Sequence, residues 1–120
     1  MEMVVRAHFD AAHYLPDYEG KCRNLHGHRW EVWVSLDVTE AYRESKTGMS
    51  IDFKKVKGKI DKVLEEFDHS LLNDLLPHPT AENLAKMLAY RIKESFVVNF
   101  RAVQVFETPE CSIIVREDEL

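Results

Sequence analysis

Apolar and polar residues alternate near both ends of the chain and recur at helical spacing in its middle. From about Met3 to Ala12, and again from about His26 to Thr39, the period is two, the mark of a strand with one buried face. In the second run His28, Trp30, Val32, Val34, Leu36 and Val38 share one face, while Arg29, Glu31, Ser35 and Asp37 lie on the other. Trp33 interrupts that polar face and reads as a contact between subunits or layers rather than a platform for a cofactor. A loop with Pro16, Asp17 and Gly20 joins the two strands.

Asp52 is placed to cap a helix over about Phe53–Phe67, whose apolar positions Phe53, Val56, Ile60, Val63, Leu64 and Phe67 follow helical spacing. Gly58 weakens that helix by roughly 1 kcal/mol relative to alanine, which suggests close packing at that point. Thr80 is placed to cap a second helix reaching about Glu94, with Leu84, Leu88 and Ile92 inward. Two closing strands are expected at about Arg101–Glu107 and Ser112–Arg116, around a turn at Pro109-Glu110. The order ββααββ is that of an α+β domain. Open sheet edges need a cover or a partner, so the pattern itself favours an oligomer.

Composition narrows the picture further. A chain of 120 residues with 45% hydrophobic side chains reads as one domain over residues 1–120, with no internal repeat or linker. Sixteen basic against twenty-one acidic residues leave a formal charge of −5, with no basic tract, so direct nucleic-acid binding has no electrostatic support. Cys22 and Cys111 are the only cysteines and form no Cys-x-x-Cys pair, which suits a reducing cytoplasm. No signal peptide is read at the amino terminus, and no apolar run approaches the roughly 20 residues that span a bilayer. A membrane partner is therefore not expected. Cys111 is read as a small buried side chain before the last strand.

The chemistry concentrates in His13 and in the run Cys22-Arg23-Asn24-Leu25-His26-Gly27-His28. On a strand, His26 and His28 point to one face, and His13 can add a third imidazole from the neighbouring strand. Three nitrogens with an open fourth position fit a catalytic zinc ion, Zn2+, better than a structural one. His8 stands at odd separation from His13 and should face away, and His78, between two prolines, reads as a loop residue. Cys22 is either a fourth ligand, closing a site of one cysteine and three histidines, or a thiolate beside an open metal, with Lys21 and Arg23 flanking it.

These residues resemble the 6-pyruvoyltetrahydropterin synthase / 6-carboxytetrahydropterin synthase superfamily, and the Cys-to-His spacing is similar to that of the 6-carboxy branch. The likeness continues through Ile51-Asp52-Phe53, Asp68-His69, Leu72-Asn73, Pro79-Thr80-Ala81-Glu82-Asn83 and Glu107-Thr108. It implies the tunnelling fold, in which each subunit gives an antiparallel four-stranded sheet with two helices on one face, and the sheets join between subunits into a barrel, commonly in six-subunit assemblies. It also implies that Cys22 is a catalytic base and that His69 with Asp68 handles protons. Glu107 would anchor a pterin, whose ring N–H and amino groups suit a carboxylate, and Thr80 and Glu82 would line the pocket. Their capping position explains Thr80 and Glu82 equally well, and Ala81 departs from the hydroxyl residue often found there.

The implied reaction is the zinc-dependent conversion of 7,8-dihydroneopterin triphosphate to 6-carboxytetrahydropterin, acetaldehyde and triphosphate, feeding 7-deazapurine synthesis. Lys21, Arg23 and Lys54 are candidates for the triphosphate. Competing readings are 6-pyruvoyltetrahydropterin synthase, a folate-pathway side-chain lyase and a structural zinc module. The pyruvoyl branch usually carries its thiol further upstream, and the folate-pathway group often carries Glu in place of Cys22.

Overall fold

The computed structural model describes residues 1–120. Alternation in sequence becomes alternation in space: β1 (Glu2–His13) and β2 (His26–Asp37) form a long antiparallel pair. The inward residues of β1 are Met3, Val5, Ala7, Phe9, Ala11 and His13, all buried. β2 continues into α1 (Thr39–Arg43), which the sequence reading did not anticipate. Asp37 accepts a hydrogen bond from the Thr39 N–H at 2.9 Å, ending the strand and starting this short helix.

Helix α2 spans Phe53–Leu64, with the Asp52 side chain accepting from the Lys54 N–H at 2.8 Å, as the capping argument required. Three expectations for it need correction. The helix stops three residues early, leaving Phe67 buried in the following turn, and Phe53 is 64% exposed because the first turn overhangs the core. Gly58 is exposed with open space around it, so no neighbour requires a missing Cβ there.

After α2 the chain turns at His69, whose φ of 57° is left-handed. Such a backbone costs an L-residue about 1–2 kcal/mol. The turn delivers β3 (Ser70–Leu71), which pairs in parallel with β1 at Ala11 and Ala12. The sheet therefore has five strands in the order β3-β1-β2-β4-β5 instead of the four expected. Two residues are too few to give a periodic signal. Helix α3 (Ala81–Ser95) is capped by Thr80, whose hydroxyl accepts from the Asn83 N–H at 3.2 Å.

β4 (Phe100–Thr108) pairs with β2, and β5 (Cys111–Arg116) closes the sheet. Cys111 is exposed at the start of β5, contrary to its expected burial, since this end of the strand runs past the core that Val115 joins further along. Helices α2 and α3 cover one face, burying Val56, Ile60, Leu64, Leu84, Leu88 and Ile92 against Phe9, Trp30, Val32, Phe100 and Val103. The opposite face carries Arg6, stacked 3.9 Å from the ring centre of a half-buried Trp33. The outer edge of β5, and that of β1 outside Ala11–Ala12, has no partner strand within the chain. No helix is long and apolar enough to cross a membrane.

Candidate metal centre and active site

Register builds the centre. In the β1–β2 pair His13 lies directly opposite His26, and Ala11 opposite His28. Directly paired residues point to the same face, and His28 is the diagonal neighbour two residues on. All three imidazoles therefore meet at one end of the sheet. Their potential ligand atoms lie within 4.8 Å of one another, and the ring centres are 4.5 to 5.1 Å apart.

The surroundings orient these rings for an ion. Nδ1 of His13 lies 2.7 Å from the carbonyl oxygen of Pro79, and Nδ1 of His26 lies 2.7 Å from that of Asn24. Each pairing places the ring proton on Nδ1 and frees Nε2, the arrangement typical of a metal-ligating histidine. Nε2 of His13 and Nε2 of His28 are buried with no hydrogen-bond partner. Such orphaned nitrogens call for a missing group. Burial pushes the His28 imidazole below its ordinary 6.5, with the charge of Glu107 opposing, so it stays neutral at pH 7 as a metal requires. The donor set fits zinc.

Trp30, fully buried, forms the wall behind the triad, 5.1 Å from the His13 ring and 5.3 Å from the His28 ring. Glu107 stands in front, its Oε2 3.9 Å from His13 Nε2. A cavity of about 560 Å3 lies over the opposite sheet face, lined by Arg6, His8, Arg29 and Glu31, and reaches His28, Glu107 and Thr108 at the end of the sheet. The cations on this cavity are thus Arg6 and Arg29. Lys21, Arg23 and Lys54 do not line it, because the first two sit on the exposed turn and the third on the outer side of α2.

Cys22 is half-buried in a single 3-10 turn, Lys21–Arg23, and its carbonyl accepts from the Leu15 N–H at 2.8 Å. Its sulfur is not among the converging ligand atoms. Asp68 and His69 form a pair of their own, with Oδ2 2.9 Å from Nδ1. The Asp10 backbone anchors both: its N–H donates to Asp68 Oδ1 at 3.0 Å, and its carbonyl accepts from the His69 N–H at 2.6 Å. The Asp10 N–H, then the His69 ring, holds the Asp68 carboxyl below its ordinary value, so Asp68 is ionised at neutral pH. Asp10 itself is clamped by Arg29 through two hydrogen bonds of 2.9 and 3.0 Å.

Thr80 follows Pro79, whose carbonyl holds His13, so the start of α3 abuts the centre. Glu82 lies exposed in the first turn of that helix. His8 is exposed on the opposite sheet face, as its odd spacing from His13 required. Sequence reasoning missed the two backbone carbonyls behind the triad and the Asp10 anchor. Main-chain acceptors leave no residue-type signal, and Asp10 acts through its backbone.

Residues 2–118 match the family described as 6-pyruvoyl tetrahydropterin synthase. The chain is similar to a 6-carboxy-5,6,7,8-tetrahydropterin synthase of Synechocystis sp., 41% identical over 105 residues that cover 83% of this chain and 81% of that protein. It is 37% identical to a dihydroneopterin monophosphate aldolase of Pyrococcus furiosus over 93 residues, 78% of this chain and 75% of that one. Its fold is similar to that of Caenorhabditis elegans 6-pyruvoyl tetrahydropterin synthase, with a TM-score of 0.81 and 26% identity, covering 97% of this chain and 94% of the other.

Proposed function

The chain belongs to the 6-pyruvoyl tetrahydropterin synthase family and is a pterin lyase, and we propose that it converts 7,8-dihydroneopterin triphosphate, with uptake of water, to 6-carboxytetrahydropterin, acetaldehyde and triphosphate. The observation that carries this reading is the convergence of His13, His26 and His28 with two buried, unpartnered Nε2 atoms. Its support for the 6-carboxy product is the 41% identity to a protein of that name.

His13, His26 and His28 would hold a zinc ion, which when bound supplies a Lewis acid that acidifies the hydroxyls of the pterin side chain. Glu107 anchors the pterin ring, accepting from its ring N–H and amino group. Thr80 and Glu82 border the pterin at the start of α3. Cys22 removes a proton from the side chain. His69, its Nδ1 fixed by Asp68, exchanges protons through Nε2. The single domain over residues 1–120 works as a homo-oligomer, six-membered by family resemblance, whose unpaired edges of β1 and β5 support assembly. We place it in the cytoplasm, with its product supplying 7-deazapurine synthesis for modified tRNA and with no direct contact to nucleic acid or membrane.

A second reading, cleavage of the dihydroneopterin side chain to a hydroxymethylpterin, is favoured by the 37% identity to the Pyrococcus aldolase. The role of Cys22 tests the proposal. Cys22→Ala is expected to keep its zinc and lose turnover. If zinc content falls with it, Cys22 is a ligand, the site is closed, and the catalytic reading fails.

A further inference from the structure

Glu107 occupies an unusual place in the sheet. In the β4–β5 ladder Phe106 faces Ser112 and Thr108 faces Cys111, so Glu107 is the extra residue of a β-bulge. On its other side the pairing of β4 with β2 ends at Phe106. Bulges bend a strand and re-aim a side chain. This one holds Glu107 in front of the histidines, beyond the last rung of the β2–β4 ladder.

The carboxylate there is short of partners. Its side chain is 28% exposed, and its one ion-pair contact is with His13 Nε2 at 3.9 Å. That nitrogen belongs to a residue only 1% exposed and has no hydrogen-bond partner of its own. A half-buried carboxylate without donors, facing buried nitrogens without donors, is a costly arrangement for a protein alone. A divalent cation between them satisfies every one of these groups.

The ligand atoms within 4.8 Å of one another are those of His13, His26 and His28 alone, so Glu107 must swing in from beside His13 to join them. Around a tetrahedral zinc, with bonds of about 2.0–2.2 Å, neighbouring donor atoms stand about 3.4 Å apart. The Glu107–His13 separation exceeds this by a few tenths of an ångström, and a glutamate on a strand bulge has the side-chain torsions to close it. Its flexibility also makes it an exchangeable ligand. We propose that Glu107 is the fourth protein ligand of the metal in the substrate-free chain. The proposal rests on the His13–His26–His28 reading and extends it. A carboxylate whose two oxygens both turn to the ring N–H and amino group of a pterin leaves the ion, so the arrival of a pterin at Glu107 opens the fourth position for the substrate's hydroxyls.

The test uses the full chain, stripped with chelator and reloaded with Co2+ or Zn2+. Glu107→Gln keeps the size of the side chain and removes the charge. It is expected to change the visible bands of the cobalt form and to weaken zinc binding by about tenfold or more in chelator competition. In the parent chain, infrared difference spectra between metal-free and zinc-loaded protein should carry a carboxylate shift that Glu107→Gln abolishes. An unchanged cobalt spectrum, zinc affinity and infrared difference in Glu107→Gln would overturn the proposal while leaving the triad intact. A parent chain that binds neither ion would overturn the triad reading itself, and the proposal with it.

Discussion

Trp30 links the core to the metal centre, and its replacement separates two effects that ordinary core mutations do not. Its ring lies 6.3 Å from that of Phe9 on the core side, and 5.1 and 5.3 Å from those of His13 and His28 on the other. It is 0% exposed, and its Nε1 makes only a long 3.4 Å hydrogen bond to the Ala11 carbonyl, so most of its contribution is packing. Truncation of a fully buried tryptophan to alanine costs about 3–5 kcal/mol. At about 2.1 cal/mol/K of unfolding entropy per residue, a chain of 120 residues loses about 12–20 °C in Tm. Thermal unfolding should be followed by circular dichroism at fixed protein concentration with excess chelator, which removes the metal's own contribution. The second effect is local. Without the indole wall His13 and His28 gain rotamer freedom, and zinc affinity is expected to fall by about 10–100-fold. Leu36→Ala is the control: Leu36 is equally buried, at the far end of β2 opposite Met3, and should cost about 2–5 kcal/mol without changing zinc affinity. If Trp30→Ala binds zinc as the parent does, or Leu36→Ala weakens it equally, the indole does not position the triad.

Three further outcomes follow from particular contacts. His26→Ala should abolish bound zinc and turnover together, measured by elemental analysis and pterin turnover; retention of stoichiometric zinc would remove His26 from the ligand set. Asp37 is held down to about 2 from an ordinary 3.8, first by the Thr39 N–H, then by the Thr39 side chain and Arg101. A depressed carboxylate adds stability above its unfolded pKa and loses it as pH falls through the folded one. The acid limb of stability between about pH 4 and pH 2 should therefore be shallower in Asp37→Asn, read by urea titration at each pH; an unchanged limb would contradict this. Gly58→Ala, on an exposed helical turn with open space, should raise stability by about 0.5–1 kcal/mol, seen as a higher urea midpoint, whereas a lower midpoint would mean a hidden contact.

The large elements were legible because their periodicity is strong. Alternation located β1 and named the buried face of β2 residue by residue, and Asp52 and Thr80 cap the helices that the apolar spacing required. His26 and His28 could be placed on one face for the same reason. That His13 would stand directly opposite His26 could not be read, since register depends on the intervening loop and on the whole β1–β2 match. The bulge that re-aims Glu107 could not be read either, because it is a property of the β4–β5 pairing. β3 escaped notice because two residues have no period, and the left-handed His69 that introduces it is not encoded by a glycine. Phe53 and Cys111 failed for one shared reason: an apolar residue at the end of an element can overhang the core to which its spacing assigns it.

Mass spectrometry of the pterins formed when zinc-loaded protein meets 7,8-dihydroneopterin triphosphate tests the central claim most directly. The expected result is 6-carboxytetrahydropterin with matching acetaldehyde, and none of either after the zinc is stripped. A pyruvoyl or hydroxymethyl product, or the same turnover from the stripped protein, would contradict it.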